Sequence, residues 1–413
     1  MGYILLPFIF SIYSKGQSTI LSNGVYKILN SEQYYTIALF NSKTSLFSND
    51  GKIYNLSSNG SGFLIGNSLG SQKKSMGDLS IYSKGVNEFI SLNILGKKLE
   101  GEKLKLIEKR IEFSNGNQKL VGELILPTGS GPFPLIVQTH GSGQETRESG
   151  RGLAYFFATH GIASFIFDKR GCGESIGKDW QASFKDYAKD LLAAVDNLSE
   201  ESSVNSNKIG LYGHSQGGWI VPLAYSMKPG KIAFCIISAA NALSPVEQNL
   251  YAGYEELKLK GIDEITNKEI YDFRKIKYEV GITGKGMSEY KNSIFPSAQE
   301  KTWFNMTGGN LPENTFWKEN GFYDPSPALK ALKCPVLILY AGYDISTDTN
   351  TNLPIMKKLI SSANATYHVF ENANHAMLEV EGKNFMTKQT VNNIQFTKGY
   401  LELLIEWTKG QTK

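Results

Sequence analysis

The chain has 413 residues, more than one domain ordinarily uses, and its 41% hydrophobic share is enough for a sizeable core. The net charge of +4 is small for that length and Lys and Arg are scattered, which excludes a nucleic-acid surface built on a basic patch. Cys172, Cys235 and Cys334 lie far apart with no C-x-x-C spacing, which argues against a disulfide framework or a zinc site.

Tyr3 to Tyr13 is an apolar run of eleven residues, too short to span a bilayer and of the length of a signal-peptide core. Ser14-Lys15-Gly16 follows, with small residues where a signal peptidase reads, although no Lys or Arg precedes the run. Residues 1–16 are therefore expected to be a signal peptide. The expectation is export to the periplasm or beyond, without stable membrane insertion. The alternative is a cytoplasmic protein in which this run is a first β-strand.

Residues 17–106 read as a β-rich N-terminal domain. YYTIALF (34–40), GFLIG (62–66), NEFISLNIL (87–95) and LKLIEK (104–109) have strand length, with turn signals such as Asn23-Gly24, Asn59-Gly60 and Lys84-Gly85 between them. A small antiparallel sheet or half-barrel is predicted. It contains no histidine, so no catalytic centre of its own is expected.

The pattern changes near residue 107, where a second domain (107–413) is placed. IEKRIEF (107–113) and LVGELILP (120–127) read as a hairpin. PLIVQTH (134–140), ASFIFD (163–168), IAFCIIS (232–238), VLILYAG (336–342) and ATYHVFE (365–371) are apolar runs of strand length. Leu153 to His160 can be helical, and Phe184, Tyr187, Ala188, Leu191, Leu192, Val195 and Leu198 recur at helical spacing. Apolar strands alternating with helices predict an α/β fold, a mostly parallel sheet with helices on both faces and its chemistry at the carboxyl ends of the strands. Residues 242–330 interrupt the alternation. They read as a cap insertion, helical in its first half, whose aromatics (Trp303, Phe316, Trp317, Phe322, Tyr323) either line a pocket or form the cap's own core.

The pattern G-x-S-x-G occurs three times, around Ser68, Ser175 and Ser215. Context separates them. SQKKSMGD after Ser68 is too polar for a buried helix, and Ser175 lies in a Gly-rich loop past its strand. Only Ser215 has a strand before it (KIGLYGH) and an apolar helix after it (GWIVPLAYSM), as a nucleophile elbow requires. A serine hydroxyl needs a base within hydrogen-bond reach. His214 adjoins the serine, His368 is within a strand, His160 ends a helix and His140 closes a strand. His375 is left, in the polar loop after the last apolar strand. The base needs a carboxylate to fix its tautomer. Asp344 directly follows VLILYAGY, with Asp348 as runner-up. An oxyanion would be met by the N–H of Gln216 and by one from the His140-Gly141-Ser142-Gly143 loop, with Ser142 first and Gly141 and Gly143 as neighbours that can replace it. Arg147 and Arg151 in the same loop are either solvated or readers of an acidic substrate group.

GPFPLIVQTHGSG, FIFDKRGCGES, KIGLYGHSQGGW, CPVLILYAGYD and NANHAM together resemble the α/β-hydrolase superfamily, and more narrowly its dienelactone-hydrolase-like and serine-aminopeptidase-like esterases and peptidases. The resemblance implies a Ser215, Asp344, His375 triad, a metal-free site without cofactor, and acyl transfer on a small-molecule ester or acyl substrate. A peptidase or thioesterase is the alternative; Glu255 and Glu256 of the cap are candidates for gripping a free amino terminus. A catalytically inactive binding protein on the same fold is the reading from another class. The resemblance implies a structural role for the Asp168-Lys169-Arg170-Gly171 loop. The oligomeric state stays open.

Overall fold

The structure, a computed structural model, describes residues 21–40, 43–60, 62–66, 75–177, 180–307, 310–361, 363–380 and 394–413. The apolar run at 3–13 and the G-x-S-x-G around Ser68 lie outside them.

Eight short strands follow one another with turns between: β1 (Gly24–Ile28), β2 (Tyr34–Phe40), β3 (Lys43–Ser48), β4 (Lys52–Ser58), β5 (Phe63–Gly66), β6 (Ser75–Lys84), β7 (Asn87–Ile94) and β8 (Lys97–Lys103). All neighbours pair antiparallel. β1 pairs with β8 and β4 with β5, so the sheet closes into a barrel. The side-chain period of two puts Tyr26 and Ile28, Tyr35 and Ile37, and Ile90, Leu92 and Ile94 inside, where they fill the space an eight-stranded barrel leaves. The sequence indicates a half-barrel at most because closure rests on the β4–β5 and β1–β8 pairings, which no local pattern announces. The run 104–109 is also divided: β8 stops at Lys103 and the next strand starts at Ile107.

The second sheet has the order β16-β15-β14-β13-β11-β12-β10-β9. β9 (Ile107–Asn115) and β10 (Gln118–Leu126) form the hairpin at one edge, and β10 is antiparallel to β12. From there every pairing is parallel, through β11 (Phe133–Thr139), β12 (Ala163–Phe167), β13 (Val204–His214), β14 (Phe234–Ser238), β15 (Val336–Ala341) and β16 (Ala365–Phe370). The connecting helices cover both faces, as parallel strands require. α1 (Arg151–Thr159) contributes Phe157 to a core on one face, shared with Tyr400, Leu404 and Ile405 of the C-terminal helix. α2 (Phe184–Leu198) and α3 (Gly217–Met227) fill the other, and all seven residues of the helical stripe read from the sequence are buried there. This is the α/β-hydrolase fold.

Between β14 and β15 the chain makes α4 (Pro245–Leu259), α5 (Glu264–Thr283), α6 (Met287–Glu289), α7 (Phe295–Gln299), α8 (Thr315–Asn320) and α9 (Ser326–Ala331), so the insertion is helical to its end rather than in its first half alone. Ser244 starts α4 with a reciprocal capping box on Glu247. Trp303 is buried in the insertion's own core, its ring 5.7 Å from Phe273, and donates its indole N–H to Glu269. Phe316 and Tyr323 form a seam instead, at 5.9 and 5.3 Å from the ring of Phe184, which stacks on Trp219. Buried Asn320 closes the seam, accepting from the Phe184 N–H at 2.7 Å and donating to the Ala182 carbonyl at 3.0 Å. After β15 come α10 (Thr349–Leu359), β16, a short β17 (Ile394–Gln395) and α11 (Tyr400–Thr412). β17 leaves the parallel sheet altogether and pairs with β4 of the barrel. Among the described residues no helix is long and apolar enough to cross a membrane.

Candidate active site

The turn after β13 carries Ser215 at φ +54°, a left-handed conformation that a non-glycine residue adopts only where its surroundings impose it. Two glycines allow it. A Cβ on Gly213 would lie 2.3 Å from the Gly217 carbonyl, and one on Gly218 would lie 2.1 Å from the Ala240 Cβ. Strand and helix therefore approach more closely than any side chain permits. The Ser215 N–H is fixed by the Ser238 carbonyl at 2.9 Å, and its own carbonyl accepts from Gly218 at 2.8 Å. With the backbone fixed, the hydroxyl projects beyond the sheet edge.

Ser215 Oγ donates to His375 Nε2 at 2.9 Å, and His375 Nδ1 donates to Asp344 Oδ2 at 2.8 Å. These three side chains come from the ends of β13, β15 and β16, the strands on which the sequence places them. Buried Asp344 is oriented by its second oxygen, which accepts from the N–H groups of Ser346 and Thr347. Asp348 lies apart from this relay and caps α10, accepting from Asn350 and Thr351. Burial pulls the His375 pKa down, but the charge and hydrogen bond of Asp344 outweigh it and hold the imidazole above its ordinary 6.5. The neighbouring His214 ring, 5.1 Å away, is pushed down to about 3 by burial and by His375, so it stays neutral, bonded to Ser238 Oγ.

The His375 loop is built by its neighbour. The Asn374 side-chain oxygen accepts from the N–H groups of Ala376 at 3.0 Å and Leu378 at 3.1 Å, while the Asn374 N–H donates to the Leu378 carbonyl. An Asn before a loop histidine is a turn signal that the sequence displays in NANH. On the acid side, α4 leans on the Asp344 loop: Tyr251 donates to the Asp344 carbonyl and Gln248 to that of Ser346.

Opposite the serine, Gly217 abuts the end of β11, where a Cβ on it would lie 3.2 Å from the His140 carbonyl. The Gly141-Ser142-Gly143 loop follows. Among the described residues neither the Ser142 nor the Gln216 N–H meets an acceptor. Gly141 differs: its N–H donates to Glu145 at 3.1 Å, which removes it as an alternative oxyanion donor. Lys169, at the end of β12, is 1% exposed and donates to the carbonyls of Gly141 at 2.9 Å and Gly143 at 3.0 Å and to the Gln216 side chain at 2.8 Å.

The remaining candidates are placed elsewhere. Arg147 and Arg151 are both held in ion pairs. Arg147 pairs with Asp168 at 2.7 Å and with Glu174, and Arg151, 4% exposed, pairs with Glu123 at 2.8 Å and Glu148 at 2.6 Å. Buried guanidinium groups need such partners. Glu256 is engaged by Lys260 at 2.5 Å, and Glu255 is buried 3.9 Å from Lys258. Ser175 is buried, donating to the Asp168 carbonyl and accepting from the Val121 N–H.

Residues 131–278 match a family model described as serine aminopeptidase, S33. The chain is 25% identical over 272 residues to esterase EstD of Thermotoga maritima, a match covering 64% of this chain and 59% of that protein. It is 24% identical over 285 residues to the 31.7 kDa protein of the Escherichia coli traX-finO intergenic region, covering 67% of this chain and 94% of that one. A solved structure titled as 2,6-dihydroxy-pseudo-oxynicotine hydrolase aligns at 17% identity with a TM-score of 0.49, covering 75% of this chain and 69% of that one. Over residues 131–278 the chain is thus similar to the serine aminopeptidases, and over 272 residues to an esterase.

Proposed function

We propose that the protein hydrolyses carboxylic esters of small molecules through an acyl-enzyme on Ser215. The observation that carries this reading is the unbroken relay from Ser215 Oγ through His375 to Asp344, with both contacts under 3 Å. In the proposed mechanism, His375 Nε2 takes the serine proton as Oγ attacks the ester carbonyl. Asp344 stabilises the imidazolium and keeps Nδ1 as the donor. The developing oxyanion is met by the N–H groups of Gln216 and Ser142. His375 returns the proton to the departing alcohol, and a water activated by the same imidazole then cleaves the acyl-enzyme. The strained turn at Ser215 keeps the nucleophile in place before substrate arrives, so alignment is present from the start.

The test is Ser215→Ala. Hydrolysis of a short p-nitrophenyl ester is expected to fall at least ~1000-fold while the far-UV circular dichroism spectrum is unchanged, and labelling by a fluorophosphonate probe is expected to vanish. Wild-type activity in the variant would refute the assignment.

A further inference from the structure

The ammonium of Lys169 makes three hydrogen bonds in the interior, two to consecutive parts of one loop and one across to the residue after the nucleophile. A buried charge is expensive, and it is retained here with every N–H used. Tyr187 presents its ring 4.7 Å from the same ammonium. Half-buried Glu145 adds an opposite charge nearby and holds the N–H of Gly141.

The acceptors decide the meaning. In a trans peptide unit the C=O and N–H point in opposite directions. The Gly141 carbonyl and the Ser142 N–H belong to one such unit. A lysine holding that carbonyl on the inner side therefore turns the Ser142 N–H outward. Glu145 fixes the preceding unit through the Gly141 N–H, and the Gly143 carbonyl fixes the unit after Gly143. Glycines on both sides of Ser142 leave this backbone free to turn over unless something holds it. The third bond ties the loop to Gln216, whose own N–H is the other donor.

We infer that Lys169 is a positioning residue that locks the Gly141–Ser142 peptide in the orientation that aims the Ser142 N–H at the oxyanion. Its charge also polarises that peptide and strengthens the N–H as a donor. Lys169 touches neither substrate nor Ser215; it acts through the peptide that it holds. The inference rests on the triad reading above and deepens it.

The experiment compares wild type with Lys169→Met and Lys169→Gln. Initial rates on a p-nitrophenyl ester are expected to show kcat lower by roughly 30- to 300-fold in Lys169→Met, near the loss of one oxyanion donor, with KM changed less than about threefold. Lys169→Gln, which keeps a donor, is expected to lie between. A trifluoromethyl ketone, whose tetrahedral adduct needs the oxyanion donors, is expected to lose affinity by the same factor as kcat/KM. The matching thionoester, a poorer acceptor of N–H bonds at sulfur, is expected to lose less rate than the ester. Unchanged ketone affinity, or equal losses on ester and thionoester, would overturn the inference. So would failure of both variants to fold, since Lys169 would then serve stability alone. Failure of the triad reading is seen separately, as fluorophosphonate labelling that survives Ser215→Ala in the presence of Lys169.

Discussion

At the scale of single residues, two aspartates four positions apart do different work. Asp344 faces the imidazole; Asp348 caps a helix. Asp344→Asn is expected to lower kcat by ~1000- to 10,000-fold at neutral pH, because an amide opposite Nδ1 favours the wrong tautomer. Asp348→Ala is expected to cost about 1 kcal/mol of stability and to leave kcat within a few-fold. Steady-state rates and urea melts of both variants check the pair, and equal losses of activity would contradict the assignment. The sequence offers Ser215, Asp344 and His375 because Ser215 and Asp344 stand at or just past the ends of apolar strands and His375 lies in the polar loop after the last of them, and chemistry gathers at strand ends. It does not show Lys169. The resemblance implies a structural role for its loop, but only the approach of segments distant in the chain makes this lysine a buried donor to Gly141, Gly143 and Gln216. Arg147 and Arg151 mislead for a similar reason, since apart from the nearby Glu148 their carboxylates, such as Asp168 and Glu123, come from distant stretches of the chain.

Among elements, the barrel and the histidine loop are joined. Ile53 of β4 lies opposite Ile394 of β17 and packs with Leu378, three residues past His375. The Phe396 N–H donates to the Gly51 carbonyl, and the Thr397 N–H to that of Met377. Ile53→Ala is expected to destabilise by about 2–4 kcal/mol and to lower kcat several-fold at constant KM, although Ile53 belongs to the barrel and not to the hydrolase sheet. Thermal melts and initial rates test this; a destabilised variant with wild-type kcat would show that the loop keeps its shape unaided. The parallel sheet is legible because its strands are continuous apolar runs. The barrel is less so: β1, β3 and β4 are short, with polar residues interleaved, and their identity depends on partners.

For the whole molecule, acidification acts through buried histidines. His140 and His214 are both held neutral by burial, pushed down to about 3. Between pH 6.5 and 3 the unfolded chain takes up protons that the native state refuses, so stability falls as pH falls, by at most about 1.4 kcal/mol per pH unit for each. His375 has the opposite sign: its stabilising share is full below pH 6.5 and is lost as pH rises through its raised pKa. Urea melts at pH 7.5, 5.5 and 4.5 are expected to show the net acid loss, and His140→Gln, which keeps a donor toward the Phe167 carbonyl, is expected to flatten it. The β17 strand has a further consequence. Its pairing with β4 ties the loop that bears His375 to the barrel. A perturbation of the barrel is thereby expected to reach the histidine loop through this strand.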